Sequence, residues 1–244
     1  IKEMIESIGN FRYIVFLIDE HSRHIFYDFI KLKSEAGAAV ARCIAAFHAT
    51  VGTPVDPDGR PMQRPRLRRL HSDREGHLMS AKFSEFRAKE GLHHTTSPPH
   101  DHDLNPIAER IIGLISESAA AIRIHSGASA RLWPWIIAYA IDWHNGSISS
   151  VGSSTADSNI TPHQRFTHRP PAVMDLASFL CRAVALLPPT SQHKPSLSGR
   201  GAVGAFLGRS RNSKGSYDVL LPYNKIITTS SVMVDEEYFG MAPP

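Results

Sequence analysis

A chain of 244 residues, 42% apolar and 20% charged, has enough hydrophobic side chains for one large domain or a medium one plus a small one, which excludes disorder throughout. No run reaches the roughly 20 apolar residues of a membrane span, and Lys2, Glu3 and Glu6 interrupt what would be a signal peptide's apolar region. The only cysteines, Cys43 and Cys181, are too far apart for a zinc-ligand spacing or a disulfide framework, so a reducing compartment is expected, and the net charge of +4 marks a mildly basic chain.

Residues 13–18 (YIVFLI) are a continuous run of β-branched and aromatic side chains, which predicts a strand buried on both faces. Residues 24–30 (HIFYDFI) predict a second strand, and the polar residues between suit a hairpin turn. Ser34 is the expected N-cap of an alanine-rich helix through Phe47, with Val40, Ile44 and Phe47 at helical spacing. Residues 52–65, rich in Pro, Gly and Asp, read as a loop. A short strand over 66–71 then ends at Ser72-Asp73, a helix over 80–90 stops at Gly91, and a strand covers 92–96. Asn105-Pro106 opens a further helix, with Pro at its first position. At about 100° per residue, this helix aligns Ile107, Ile111, Ile115, Ser118 and Ile122, and turns Glu109 to the opposite side. The helix expected over 130–144 holds Trp133, Trp135 and Trp143.

The Ser- and Gly-rich residues 147–159, followed by Pro162, Pro170 and Pro171, mark a boundary. Beyond Phe179, strand-like runs at 183–187, 202–207, 217–221, 226–229 and 232–234 have the spacing of a small β-barrel. The expected organisation is an α/β domain over 1–165, a linker over 166–178 and a barrel over 179–240.

Asp73 sits where a predicted strand ends, and Glu109 lies one turn into a helix, away from its packed stripe. Two carboxylates offer the hard oxygen ligands that Mg²⁺ or Mn²⁺ prefer. His100 and His102, with His93 and His94 before them, have no fixed partner that would complete a transition-metal site and read as a polar loop. Both cysteines lie in apolar patterns and read as packing. Arg60, Arg64, Arg66, Arg68, Arg69 and Arg74 crowd one stretch, and Lys194, Arg200, Arg209, Arg211 and Lys214 another; clustered cations of this kind neutralise phosphates.

Four blocks, in order along nearly the whole chain, resemble copia-type retrotransposon integrases. They are YIVFLIDEHSRHIFYDFIKLKSE at 13–35, LHSDREGHLMSAKFSEFRAKEGLHHTTSPP at 70–99, HDLNPIAERIIGLISE at 102–117, and the runs RGAVGAFLGRS, KGSYDVL and TTSSVMVDEEYF within 200–239. Thirty-five residues lie between Asp73 and Glu109, the spacing for which the family's acidic motif is named. The resemblance implies an RNase H-like mixed five-stranded sheet flanked by helices, followed by an SH3-like barrel. It also implies 3′-end processing and strand transfer of element DNA into target DNA, with two Mg²⁺ or Mn²⁺ ions held by three carboxylates.

Matched to the family's motif, Asp73 is the second acidic ligand and Glu109 the third. The first belongs at or just before Ile1, with Asp19 as the alternative, and residues 1–244 alone are expected to be inactive or nearly so. The sequence departs from the family at Arg74-Glu75-Gly76 and at residues 102–106, and the family's upstream His/Cys zinc module is not among these residues. Arg66, Arg68, Arg69, Arg209, Arg211 and Lys214 are the expected phosphate contacts, with a homo-oligomer on DNA, no membrane partner, and work in nucleus and cytoplasm. Two other readings stand beside this one: a non-catalytic nucleic-acid-binding or assembly remnant of a decayed element, and an RNase H-like ribonuclease.

Overall fold

The computed structural model describes residues 2–54, 56, 58–72, 78, 80–96, 105–148, 159–171, 176–187 and 201–239. The chain divides into two compact units, Ile1–Ile115 with His144–Ala172, and Ser116–Trp143 with Val173–Pro244.

In the first unit, β2 (Tyr13–Ile18) and β3 (Ile25–Ile30) form the expected hairpin, in register from Tyr13 opposite Ile30 to Ile18 opposite Ile25. A two-residue strand, β1 (Lys2–Glu3), which the sequence pattern did not signal, pairs antiparallel with Ile14 and Tyr13. Helix α1 (Ala36–Thr50) buries Ala39, Val40, Cys43, Ile44 and Phe47, a stripe at helical spacing packed with Val15, Leu17, Phe26 and Ile30. Ser34 is not its cap. It lies inside a 3-10 turn (Lys33–Glu35), and the Glu35 carboxylate reaches back to accept the N–H groups of Lys31 (3.0 Å) and Leu32 (3.3 Å). A longer side chain with an ionised acceptor spans this gap, which a hydroxyl does not.

Strands β4 (Arg69–Ser72) and β5 (His93–Thr96) are parallel, with Arg69 opposite His93 and Ser72 opposite Thr96, and α2 (Ala81–Glu90) forms the crossover between them. The Ser80 hydroxyl accepts the Phe83 N–H at 3.3 Å, and Gly91 ends the helix at φ 66°, as the residue types predict. Among the described residues these five strands form two sheets, β1-β2-β3 and β4-β5, rather than one continuous ladder. β1 engages β2 only at Tyr13 and Ile14.

Helix α3 (Pro106–Ser126) buries Ile111 and Ile115; Ser118, assigned to the same stripe, is exposed. Helix α4 (Trp133–Gly146) ends with Asn145, whose side-chain amide accepts the Ile25 N–H (2.9 Å) and donates to the Ile25 carbonyl (3.0 Å). This one side chain satisfies both backbone groups at the start of β3. Helix α5 (Pro162–Thr167) was not expected. Thr161 caps it through the Gln164 N–H (3.0 Å), and Pro162 occupies its first turn, so a cap and an N1 proline stand where the sequence pattern marked a boundary. It delivers Phe166 to the core, edge-on to Phe47 (4.9 Å) and Phe26 (5.3 Å).

In the second unit, β6 (Cys181–Leu186), β7 (Gly201–Arg209), β8 (Tyr217–Leu221), β9 (Lys225–Thr229) and β10 (Val232–Phe239) make an antiparallel sheet in the order β10-β6-β7-β8-β9. β9 and β10 occupy opposite edges, yet only Ser230 and Ser231 join them. The edges of a flat sheet of this width would lie about 19 Å apart, and such a connection reaches about 10 Å. The sheet therefore curls until its edges approach. Thr229 Oγ1 donates to the Leu186 carbonyl (3.0 Å) and the Leu186 N–H to the Ser231 carbonyl (3.0 Å), which fastens that connection to the end of β6. Cys181, Ala183, Ala185, Phe206 and Val219 fill the inside. Both cysteines are buried, and neither is in a disulfide. Among the described residues no helix is long and apolar enough to cross a membrane.

Candidate functional site

In the first unit a cavity of about 700 Å³ is lined by Val15 to His21 on one side, Arg69 to Ser72 on another, and Asn105, Pro106, Ile107, Ala108 and Ile112 of α3. Consecutive residues of β2 and of β4 line it, although successive side chains of a strand point to opposite faces. The cavity thus follows the strand edges. β2 spends its other edge on β3, and β4 spends its other edge on β5. Apolar side chains such as Val15, Leu17, Leu70 and Ile107 line part of the cavity, and Asp19, His21, His71, Ser72, Thr95 and Asn105 supply polar groups.

The predicted site residues stand as follows. Asp73 lies outside the described residues, as do Arg74, His100 and His102; the residue before Asp73, Ser72, lines the cavity. Glu109 is exposed in the first turn of α3, its N–H bonded to the Asn105 carbonyl (3.1 Å), with Asn105 and Ala108 on the cavity wall. The fold therefore brings the end of β4 and the start of α3 to one cavity. Asp19 lines it too, but its Oδ2 accepts both the Ser22 N–H (2.8 Å) and the Ser22 hydroxyl (2.6 Å), closing the hairpin turn. A cation there would compete with these bonds. Among the described residues no three His, Cys, Asp or Glu side chains gather as a metal cage. Glu109 supplies a hard carboxylate oxygen of the kind Mg²⁺ and Mn²⁺ take, on an exposed helix turn open to further ligands.

Side-chain bonds across the parallel pair were missed at the sequence level. Ser72 Oγ and His94 Nε2 lie 2.8 Å apart, and His71 Nδ1 and Thr95 Oγ1 2.9 Å apart. Burial holds the His94 pKa below the usual histidine value, and the nearby Arg87 guanidinium lowers it further, so both favour the uncharged imidazole. His71 lies directly opposite Thr95, whereas Ser72 meets His94 diagonally, and neither contact can be read without the register.

The basic residues divide. Arg66, Arg68 and Arg69 are exposed on the approach to β4, and Arg69 lines the cavity. Arg64 donates to the Val51 and Ala49 carbonyls (2.8 and 3.0 Å) near the end of α1. In the second unit Arg211 and Lys214 are exposed between β7 and β8. Arg209 is half-buried, and its charge is felt by Asp142, whose carboxyl burial pushes up to about 6 while Arg209 pulls the other way.

No family model matches the chain. It is 25% identical over 235 residues to the retrovirus-related Pol polyprotein from transposon RE2 of Arabidopsis thaliana, covering 96% of this chain and 15% of that protein. The corresponding polyprotein from transposon TNT 1-94 of Nicotiana tabacum is 26% identical over 233 residues, with 96% and 16% coverage. The chain is thus similar, over nearly its whole length, to retrovirus-related Pol polyproteins of plant transposons. It spans about a sixth of the length of these relatives. Among solved structures, a simian T-cell lymphotropic virus intasome in complex with PP2A regulatory subunit B56 gamma is similar at 15% identity and TM-score 0.46, covering 95% of this chain and 72% of that one. The catalytic core domain of BIV integrase is similar at 17% identity and TM-score 0.43, covering 63% and 84%.

Proposed function

We propose that this Pol-polyprotein homologue is the catalytic-core and C-terminal portion of a retrotransposon integrase, built for divalent-metal-dependent transfer of DNA phosphodiester bonds. The observation that carries this reading is the meeting of the end of β4, which leads into Asp73, with the first turn of α3, which bears Glu109, at one cavity. On this reading the strands of the first unit belong to an RNase H-like sheet. The curled sheet β10-β6-β7-β8-β9 is an SH3-like barrel, in which only the β10–β6 pairing joins strands distant in sequence. Both buried thiols suit a reducing interior, the nucleus and cytoplasm of the host.

Asp73 and Glu109 would hold Mg²⁺ or Mn²⁺, with two ions expected in the complete site, and the metal would supply activation of a water or DNA 3′-hydroxyl and stabilisation of the leaving oxygen. The chain's own residues do the rest. Arg66, Arg68 and Arg69, exposed beside the cavity, hold DNA phosphates, and Arg211 and Lys214 add a second cationic edge in the other unit. Arg209 is a weaker phosphate contact because its charge is shared with Asp142. His94 holds the Ser72 hydroxyl at the end of β4. The working form is a homo-oligomer on element ends and target DNA.

With Asp19 held in its turn, residues 1–244 bring two acidic ligands, so end joining by this polypeptide alone is expected to be barely measurable. The test is calorimetric Mn²⁺ titration together with cleavage and joining assays. Asp73→Asn and Glu109→Gln should each weaken Mn²⁺ binding at least tenfold, about 1.4 kcal/mol, with folding unchanged. Unaltered Mn²⁺ binding in both variants overturns the reading in favour of a non-catalytic nucleic-acid-binding remnant. Cleavage of an RNA–DNA hybrid with no joining of DNA ends makes the protein a ribonuclease instead.

A further inference from the structure

The hairpin joining β8 to β9 breaks a local rule. Its turn is Pro222-Tyr223-Asn224-Lys225, closed by the Lys225 N–H on the Pro222 carbonyl. Tyr223 (φ 60°, ψ 28°) and Asn224 (φ 57°) both lie in the left-handed region, the geometry of a type I′ turn. That turn favours Asn or Gly at its first central position, because an L-residue with a bulky side chain is strained there. Tyr223 is also 100% exposed, so no burial offsets the strain. A strained aromatic that gains nothing from the folded chain points to a contact outside it.

We propose that Tyr223 is a stacking platform for an unpaired nucleobase of the DNA on which this protein acts. The proposal rests on the nucleic-acid reading above and adds to it a recognition residue outside the cavity. An aromatic face at a hairpin tip takes any base, whatever its sequence. Two residues on, Lys225 is exposed and able to hold the adjoining phosphate. Asn224 accommodates the second left-handed position, so the ring is held by a short, closed turn rather than a loose loop.

The probe is a duplex carrying a single-stranded overhang with 2-aminopurine, whose fluorescence falls on stacking; a blunt duplex of the same length is the control. The intact chain should quench the overhang probe, and Tyr223→Phe should do the same. Tyr223→Gly should abolish quenching and weaken overhang binding by about 5- to 100-fold, leave blunt-duplex binding unchanged, and raise the melting temperature, since glycine relieves the turn. A merely structural tyrosine would not move binding and stability in opposite senses. Overhang binding by Tyr223→Gly equal to that of the intact chain, with blunt-duplex binding still present, overturns the stacking role alone. Absence of salt-sensitive binding to either DNA overturns both this role and the nucleic-acid reading. A change in self-association on light scattering, with DNA binding unchanged, assigns Tyr223 to a protein contact and refutes the proposal.

Discussion

Each unit contains five strands among the described residues, but they reach different completeness. In the second unit they form one ladder, and every pairing except β10 with β6 joins neighbours in sequence. In the first they form a sheet of three and a sheet of two, with a cavity of about 700 Å³ along the edges of β2 and β4. The lesson concerns contact order. Hairpins close short loops and satisfy their backbone locally, whereas the parallel pair needs the α2 crossover and leaves an edge to be met by something distant. The unit with the open edge is the one that holds the candidate chemistry.

Acidification should affect the two regions in opposite ways, and the largest effect falls on the first. His24 is buried against Phe166, ring centroids 5.0 Å apart, and faces His163 at 5.7 Å. Among the described residues its Nδ1 has no hydrogen-bond partner. Burial, with the nearby His163 and His144, lowers its pKa from 6.5 to about 3. The unfolded state therefore takes the proton first. Stability is complete above pH 6.5 and is lost as pH falls toward 3, by on the order of 4 kcal/mol. Urea midpoints measured from pH 7.5 to 3.5 should fall, and His24→Phe should remove most of that slope. A slope unchanged in His24→Phe would place the acid sensitivity elsewhere.

Two glycines offer a matched pair of perturbations. A Cβ on Gly52 would lie 2.1 Å from the Thr167 carbonyl oxygen, where the chain leaving α1 meets α5, and one on Gly204 would lie 2.4 Å from the Leu220 carbonyl oxygen, where β7 meets β8. Both obstacles are backbone, so Gly52→Ala and Gly204→Ala should each destabilise by about 3 kcal/mol. All three tryptophans, Trp133, Trp135 and Trp143, belong to the second unit, so fluorescence reports on that unit alone. Gly204→Ala should lower the fluorescence-detected midpoint, and Gly52→Ala should accelerate amide exchange in β2 and β3 while moving that midpoint less. Equal shifts by both probes would mean that the two regions unfold as one.

What the residue pattern made legible follows the same division. Local signals were clear: YIVFLI and HIFYDFI as a hairpin, Ser80 and Gly91 bounding a helix, Asn105-Pro106 opening another. The cavity wall was half legible, since strand ends and helix starts can be placed but their meeting cannot. The misses were features set by distant partners. Pro162 reads as part of a boundary, and Phe166 as the start of the linker, until Phe166 finds Phe26 and Phe47. His94 bonds Ser72 only once β4 and β5 are known to run parallel in that register. Asp142 beside Arg209 has no sequence signal, because helix and strand lie far apart in the chain.

That last pair gives the smallest of these effects, with the opposite sign to His24. Burial raises the Asp142 pKa from 3.8 to about 6, although Arg209 favours the ionised form. Here the folded state holds the proton more tightly than the unfolded chain. The contribution of Asp142 to the stability of the second unit is therefore greatest below pH 3.8 and is lost as pH rises through about 6. Asp142→Asn keeps the shape and removes the charge. It should stabilise the unit by about 2 kcal/mol at pH 8 and have almost no effect at pH 4. Tryptophan fluorescence in urea at the two pH values measures this directly. Destabilisation at pH 8 would mean that the attraction to Arg209 outweighs the desolvation of Asp142, so that Arg209 is committed to the fold and is not available to a DNA phosphate.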